Sequence, residues 1–115
     1  LIAEDEDVNY EFLKIVLEKY YTLIRAHNGR EVVELMEQNA PNVDCILMDI
    51  KMPGMNGVEA SKLIKKNHPD VYIVAQTAVS EIEDDFNIKY TCFDDYILKP
   101  INPKSLLSLL STIIE

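Results

Sequence analysis

Apolar residues fall into two kinds of segment along this chain. Short, unbroken apolar runs have the length and composition of buried strands, whereas longer segments carry apolar residues three and four positions apart, as one face of an α-helix does. The runs predict five strands, at Leu1–Ala3, Thr22–Ala26, Cys45–Met48, Val71–Ala75 and Tyr96–Leu98. Strands that alternate with helices at short spacing predict a parallel sheet covered on both faces.

Five helices are predicted between and after these strands, and polar residues mark where they begin. Val8, Phe12, Ile15 and Val16 give the first helix its apolar spacing. The predicted start signals are Asp7 as an N-cap, the capping-box pairs Asn28–Glu31 and Ser80–Glu83, and Asn102 as an N-cap before Pro103. We therefore expect one doubly wound α/β domain over residues 1–115, with a first strand truncated at the N-terminus.

Composition and charge remove several classes of function. The net charge of −9 disfavours a direct nucleic-acid partner, because such binding depends on Lys and Arg. No apolar run approaches the ~20 residues of a membrane span, so we expect a cytoplasmic domain with no direct membrane contact. Cys45 and Cys92 lack metal-site spacing and are expected to be reduced. No Gly-x-Gly-x-x-Gly follows the first strand, which disfavours a dinucleotide site.

Acidic, hydroxyl and basic residues lie at the carboxyl ends of four predicted strands. They are Glu4 and Asp5, Asp49, Thr77 and Lys99, after the first, third, fourth and fifth strands. A parallel sheet gathers these ends at one edge, where ligands bind in such folds. Close carboxylates repel one another, and Mg²⁺ relieves that repulsion in a site built from oxygen atoms. The set suits phosphoryl transfer onto a carboxylate.

Four segments carry a resemblance that covers essentially the whole chain. They are Ala3-Glu4-Asp5-Glu6, Leu47-Met48-Asp49-Ile50-Lys51-Met52-Pro53-Gly54-Met55-Asn56-Gly57, Thr77-Ala78, and Asp95-Tyr96-Ile97-Leu98-Lys99-Pro100. With these motifs the chain resembles the receiver domains of response regulators in two-component signalling. The resemblance implies the flavodoxin-like receiver fold, with strand order 2-1-3-4-5, and a cis Lys99–Pro100 bond.

The resemblance also implies a role for each site residue. Asp49 matches the phospho-acceptor and a metal ligand. Asp5 matches a direct Mg²⁺ ligand, Glu4 matches an acid that acts through water, and Lys51 matches a ligand through its backbone carbonyl. Thr77 and Lys99 match the residues that contact phosphate, and Thr77 with Tyr96 matches the conformational switch. Mn²⁺ is expected to substitute for Mg²⁺. Three positions depart from the usual pattern: Glu4 and Asn56 replace Asp, and Cys92 replaces a helix-ending Gly.

The function that follows is a phosphorelay module. A histidine kinase or histidine phosphotransfer domain would supply the phosphoryl group, and the domain would catalyse its own phosphorylation and dephosphorylation. The fourth helix, fifth strand and fifth helix would form the output face, which could also form a homodimer. The Asn9 region and the Asp49–Gly57 loop most resemble receivers of hybrid sensor histidine kinases, whose full-length parent could be anchored in a membrane. A stand-alone regulator and the front end of a transcription factor are the alternative parents.

Two alternatives remain at this stage. A pseudo-receiver would bind partners without phosphorylation, but it typically lacks one of Asp5, Asp49 or Lys99, and all three are present. A haloacid-dehalogenase-type phosphatase would need a second Asp two residues after the nucleophile, where Lys51 stands.

Overall fold

The computed structural model describes residues 1–39, 42–78 and 93–114. Its five strands are β1 (Ile2–Ala3), β2 (Arg25–Ala26), β3 (Cys45–Asp49), β4 (Tyr72–Thr77) and β5 (Asp95–Leu98). Its helices within these ranges are α1 (Asp7–Leu17), α2 (Gly29–Asn39), α3 (Gly57–Asn67) and α4 (Pro103–Ile113). Helix α4 is the last of the five predicted helices. The helix predicted to start at Ser80 and Glu83, and Cys92, lie outside the described residues.

The strands form one parallel sheet in the order β2-β1-β3-β4-β5. The predicted fold class and strand order are therefore confirmed. The strand ends differ from the predicted ones by a few residues, most at β2, where only Arg25 and Ala26 pair with β1. The Lys99–Pro100 peptide bond is cis, as the resemblance implied.

Alternate residues of the strands pack into two separate cores, one on each face of the sheet. Ala3, Met48 and Ala75 belong to the core beneath α2 and α3. The other core joins the opposite face of the sheet to α1 and α4. It contains the buried residues Ile2, Leu13, Leu17, Cys45, Leu47, Val74, Ile97, Leu106 and Leu110. Because successive strand residues point to opposite faces, these two sets fix the orientation of the residues that follow them at the rim.

Helix α1 forms where it was predicted, but two details differ. The N-cap position is Glu6, whose side chain makes no capping bond, so the prediction of Asp7 as N-cap was wrong. Asp7 lies in the first turn of the helix, and its exposed side chain pairs with Arg25. The second difference is the buried face: the helix buries Leu13 and Leu17 against the sheet, whereas Val8 of the predicted apolar spacing is exposed.

The starts of the other helices follow local side-chain bonds. Asn102 caps α4 through the backbone N–H of Ser105, as predicted. Asn28 accepts the N–H of Glu31, but the Glu31 carboxylate accepts the N–H of His27, so only half of that predicted box forms. A full capping box joins Asn56 and Glu59 at α3, and this box was not among the predicted start signals. Each described helix has 11 residues, and none is long and apolar enough to cross a membrane.

The loop after β3 is held against the strand from which it departs. The N–H of Gly57 donates to the carbonyl oxygen of Ile50 at 2.9 Å, and the N–H of Gly29 donates to that of Met55 at 3.1 Å. A Cβ atom at Gly57 would overlap the carbonyl oxygen of Asp49 and lie 2.9 Å from the Ile50 Cα. Glycine at position 57 therefore lets α3 pack directly against the end of β3.

We expect Gly57→Ala to destabilise the protein by roughly 3 kcal/mol, because the added methyl group meets backbone atoms that cannot turn aside. Gly54→Ala is the matched control. Gly54 has φ +72° and open space around it, so only the cost of a left-handed alanine applies, about 1–2 kcal/mol. Urea denaturation of both variants measures the difference. Equal losses would show that Gly57 serves no packing role.

Candidate metal and phosphoryl site

The predicted site residues meet at the carboxyl rim of the sheet. Glu4 and Asp5 follow β1, Asp49 is the last residue of β3, Thr77 is the last of β4 and Lys99 follows β5. The register places Ala3 beside Met48, so Glu4 comes level with Asp49 on the neighbouring strand. The strand order alone thus brings together residues that are up to 95 positions apart.

Three acidic side chains form a compact oxygen cluster at this rim. One carboxylate oxygen from each of Glu4, Asp5 and Asp49 lies within 4.8 Å of the others. Glu4 is fully buried and Asp49 is 3% exposed, while Asp5 is the most accessible of the three. Burial strengthens the repulsion between such charges, because little water remains to screen them.

Lys99 places its ammonium group against the cluster. Its Nζ donates to Asp49 Oδ1 at 3.0 Å, and this is both a hydrogen bond and an ion pair. The backbone N–H of Lys99 also donates to the carbonyl oxygen of Thr77 at 2.8 Å, which extends the pairing of β4 and β5 to the rim. The lysine is thereby held to the same edge as the carboxylate that it neutralises.

Glu4 has one satisfied and one unsatisfied oxygen. Oε1 accepts the backbone N–H of Glu6 at 3.2 Å and the side-chain amide of Asn9 at 3.5 Å. Oε2 is buried and has no hydrogen-bond partner among the described residues. Burial, and then the charge of Asp49, raise the pKa of Glu4 to about 7, although the Glu6 N–H, Lys99 and Asn9 act in the opposite direction.

Arg25 fixes the backbone of the acidic turn from the neighbouring strand. Its Nε and Nη2 donate to the carbonyl oxygen of Glu4 at 3.2 and 3.1 Å, and its Nη1 lies 2.8 Å from Asp7 Oδ1. The guanidinium also lies over the Tyr10 ring, 4.5 Å from its centroid. Arg25 was not among the predicted site residues. A lone basic residue in β2 gives no signal until the strand order places it beside β1.

The other predicted residues have distinct environments. Thr77 is fully buried, and its hydroxyl donates to the carbonyl oxygen of Ala78 at 3.2 Å. Tyr96 is half-buried and meets Phe93 edge-on, with the ring centroids 6.1 Å apart. Lys51 follows Asp49 by two residues, and its side chain is exposed. Tyr96 aligns with Ala75, which places it over the α2 and α3 face of the sheet.

The residues present fit a hard divalent cation. Carboxylate and carbonyl oxygens are the ligands that Mg²⁺ takes, usually with only one or two carboxylates and several waters. Three carboxylates converge here, and one buried oxygen of Glu4 lacks a partner. Among the described residues, this cluster contains no Cys or His, and carboxylate oxygens do not favour a softer metal.

A comparison with known families matches residues 1–111 to the response regulator receiver domain. The chain belongs to this family. Receiver domains in general bind Mg²⁺ at an acidic pocket and interact with histidine kinases or phosphotransfer proteins. In this receiver domain, Glu4, Asp5 and Asp49 form an acidic cluster at the carboxyl rim of the sheet.

Individual relatives agree with this assignment. The receiver domain is 33% identical over 120 residues to hybrid signal transduction histidine kinase I of Dictyostelium discoideum, covering 97% of this chain and 7% of that protein. It is 37% identical over 107 residues to a cyclic di-GMP phosphodiesterase of Thermotoga maritima, covering 89% of this chain and 27% of that protein. The chain therefore spans only a minor part of these relatives.

A solved structure matches the fold. The receiver domain protein of Clostridium thermocellum gives a TM-score of 0.89 at 21% identity, covering 98% of this chain and 90% of that one. At that identity the likeness concerns the fold.

We expect the pH dependence of stability to reveal the buried Glu4 carboxyl. Its pKa is about 7 in the folded protein and 4.5 ordinarily, so the folded state holds a proton that the unfolded state releases. Without divalent cations, the stabilisation from protonated Glu4 is complete below about pH 4.5 and is lost as the pH rises to about 7. One pKa unit is about 1.4 kcal/mol, so the loss is roughly 3 kcal/mol.

Glu4→Gln is the variant that measures this effect. Its free energy of unfolding, determined by urea denaturation in EDTA, should exceed that of the wild type increasingly as the pH rises through this window. The difference between the two proteins cancels the contributions of carboxyl groups that do not interact with Glu4, while Asp49, which does interact with it, remains part of the measured effect. A difference that stays constant with pH would contradict the assignment.

Proposed function

We propose that this receiver domain is a phospho-acceptor of a two-component phosphorelay, with Asp49 as the acceptor. The observation that carries the proposal is the contact between Lys99 Nζ and Asp49 Oδ1 at 3.0 Å, within a cluster of three carboxylates. A nearly buried carboxylate beside one ammonium group and two further acids is suited to receiving an anionic group together with a cation. Residues 1–115 would act as a single receiver domain.

The reaction transfers a phosphoryl group from nitrogen to oxygen. A carboxylate oxygen of Asp49 forms the new O–P bond as the P–N bond of a phosphohistidine breaks. The electron pair of that bond returns to the imidazole nitrogen, which then takes a proton. Catalysis rests on positioning and charge neutralisation, as in other phosphoryl transfers. Hydrolysis of the aspartyl phosphate, in which a water oxygen attacks phosphorus and the Asp49 carboxylate leaves, would use the same side chains, so the domain would catalyse both steps.

Magnesium would be held by Asp5, Asp49 and the backbone carbonyl of Lys51, with Glu4 acting through water. When bound, Mg²⁺ or its substitute Mn²⁺ supplies positive charge for the phosphoryl oxygens. Lys99 contributes the permanent cation of the site and already lies against Asp49. These roles agree with the oxygen-only donor set and with the unsatisfied oxygen of Glu4.

Phosphorylation would change the partners of two residues at the rim. Lys99 would exchange the Asp49 carboxylate for a phosphoryl oxygen, and the Thr77 hydroxyl would turn from Ala78 toward the same group. Tyr96 would then move inward, altering the face formed by β5, α4 and the helix predicted before β5. A new anionic partner biases such a two-state equilibrium.

The partner that supplies phosphate would be a histidine kinase or a histidine phosphotransfer domain. The β5 and α4 face is the proposed surface for output and for a homodimer. The similarity to a hybrid histidine kinase supports a parent protein of that class, with this domain on its cytoplasmic side.

Acetyl phosphate and Mg²⁺ should add one phosphoryl group to the wild-type protein, as measured by intact mass. Asp49→Asn should remain unmodified, because an amide oxygen is a poor nucleophile. Omission of Mg²⁺, or the change Lys99→Met, should reduce the modified fraction at least ~10-fold, since each removes cationic charge from the transition state.

Asp44→Asn is the matched control, because Asp44 is an exposed acid at the opposite end of β3. It should be modified as the wild type is. An unmodified wild type would favour the alternative of a pseudo-receiver that acts without phosphorylation. Modification that persists in Asp49→Asn would refute Asp49 as the acceptor.

A further inference from the structure

A buried glutamine lies beside the acidic cluster, where the apolar part of β4 ends. Gln76 is 1% exposed and precedes Thr77 in β4. Its amide nitrogen, Nε2, has no hydrogen-bond partner among the described residues. Burying an amide without a partner costs free energy, so a Gln at a position where an apolar residue would pack needs a physical reason.

The sheet register places Gln76 in line with the acids. Gln76 pairs with Asp49 across β3 and β4, and Glu4 is level with Asp49 on the other side of β3. The three residues form one row across adjacent strands. Two residues earlier in each strand, Ile2, Leu47 and Val74 form the row beneath and pack toward α1 and α4.

Gln76 and Glu4 also line one cavity. It has a volume of about 300 Å³ and lies between α1, the rim of the sheet and the segment after β5. Its polar lining consists of Glu4, Asn9, Gln76 and Lys99. Three buried polar side-chain atoms of the described residues lack partners, and one of them, Ser61 Oγ, lies outside this lining. The other two, Glu4 Oε2 and Gln76 Nε2, are an acceptor and a donor, and their side chains line this same space.

We propose that Gln76 is a positioning residue for the metal site, acting on Glu4 through one water molecule in this cavity. The cavity has room for a water, which needs roughly 10–15 Å³ and two to four polar partners, and four polar side chains line it. Glu4 Oε2 and Gln76 Nε2 are both buried, so a small rotation of these two side chains would bring them to that water. The water would accept from Gln76 Nε2 and donate to Glu4 Oε2. The inference rests on the proposed function, since it concerns the same acidic site.

The length of Glu4 explains why such a residue is needed. Glutamate has one more rotatable bond than aspartate, so its carboxylate is less firmly oriented by the backbone. Glu6 and Asn9 hold Oε1, and the water bound to Gln76 holds Oε2, which leaves the carboxylate in one orientation toward Asp49. Groups that orient metal-binding side chains in this way typically change metal affinity 10–100-fold when they are removed.

Isothermal titration of the full chain with MgCl₂ tests the proposal. Gln76→Leu should bind Mg²⁺ about 10-fold more weakly than the wild type, while its stability to urea is unchanged or higher, because an apolar side chain replaces an amide without a direct partner. A purely structural glutamine would give the opposite result, with lower stability and unchanged affinity. Gln76→Met, which keeps the length without the amide, serves if the leucine variant fails to fold.

A double-mutant cycle with Glu4→Asp identifies the route of the effect. An aspartate at position 4 is too short to reach the bridging water, so Gln76→Leu should weaken Mg²⁺ binding less than about 2-fold in that background. Val74→Ala is the control, since it lies on the same face of β4 and should lower stability with no change in affinity.

Three outcomes separate this proposal from the proposed function. Equal Mg²⁺ affinity of the wild type and Gln76→Leu would overturn the role of Gln76 alone. So would a 10-fold effect of Gln76→Leu that is the same with Glu4 and with Asp at position 4. A wild-type protein that binds no Mg²⁺ would overturn both proposals.

Discussion

Repulsion among three carboxylates at one edge of the sheet is the constraint on which the surrounding structure depends. At an effective dielectric constant of about 20, two unit charges ~4 Å apart interact by roughly 4 kcal/mol, several times the value in water. Glu4 and Asp49 are buried, and one carboxylate oxygen of each lies within 4.8 Å of the other, so their charges need compensation. Lys99 supplies it at Asp49, and the Glu6 N–H and the Asn9 amide supply it at Glu4.

The compensating groups come from different parts of the chain, and only the fold unites them. Lys99 is 50 residues from Asp49, and Arg25 is 21 residues from the Glu4 carbonyl that it holds. Two cores, one on each face, fix the strands that carry these groups. The packing of the apolar residues thus determines the electrostatics of the rim, because a shift of one residue in register would turn each strand's side chains to the other face.

Most of the site could be predicted from the sequence because its residues stand directly after apolar strands. Asp49 and Lys99 follow such runs, and a parallel sheet gathers strand ends whatever the details of packing. Arg25 and Gln76 could not be assigned in this way. Arg25 contacts the Glu4 carbonyl from the adjacent strand, and Gln76 lines a cavity together with Glu4. Sequence spacing gives no measure of either neighbour. Gln76 did leave a signal, as the one amide at the end of an apolar strand.

The helices were predictable in position and less so in orientation. Helix α1 has apolar residues around much of its circumference, so spacing alone could not decide that Leu13 and Leu17 face the sheet while Val8 and Ile15 remain exposed. The start of α1 was misjudged for a related reason. Asp7 has the character of a cap, but Glu6 occupies the N-cap position, and Asp7 in the first turn pairs with Arg25 instead.

The close contact of Gly57 with the end of β3 has a further consequence. Asp49 has β1 and β4 on either side of its strand and the first turn of α3 close to its carbonyl, so its main chain is closely packed. In the proposed reaction, this packing would fix the main chain that carries the reacting carboxylate before a donor arrives, so less entropy would be lost in the encounter. The exposed helices and loops around the rim would then adapt to different phosphohistidine donors, while the position of the Asp49 carboxylate would stay the same.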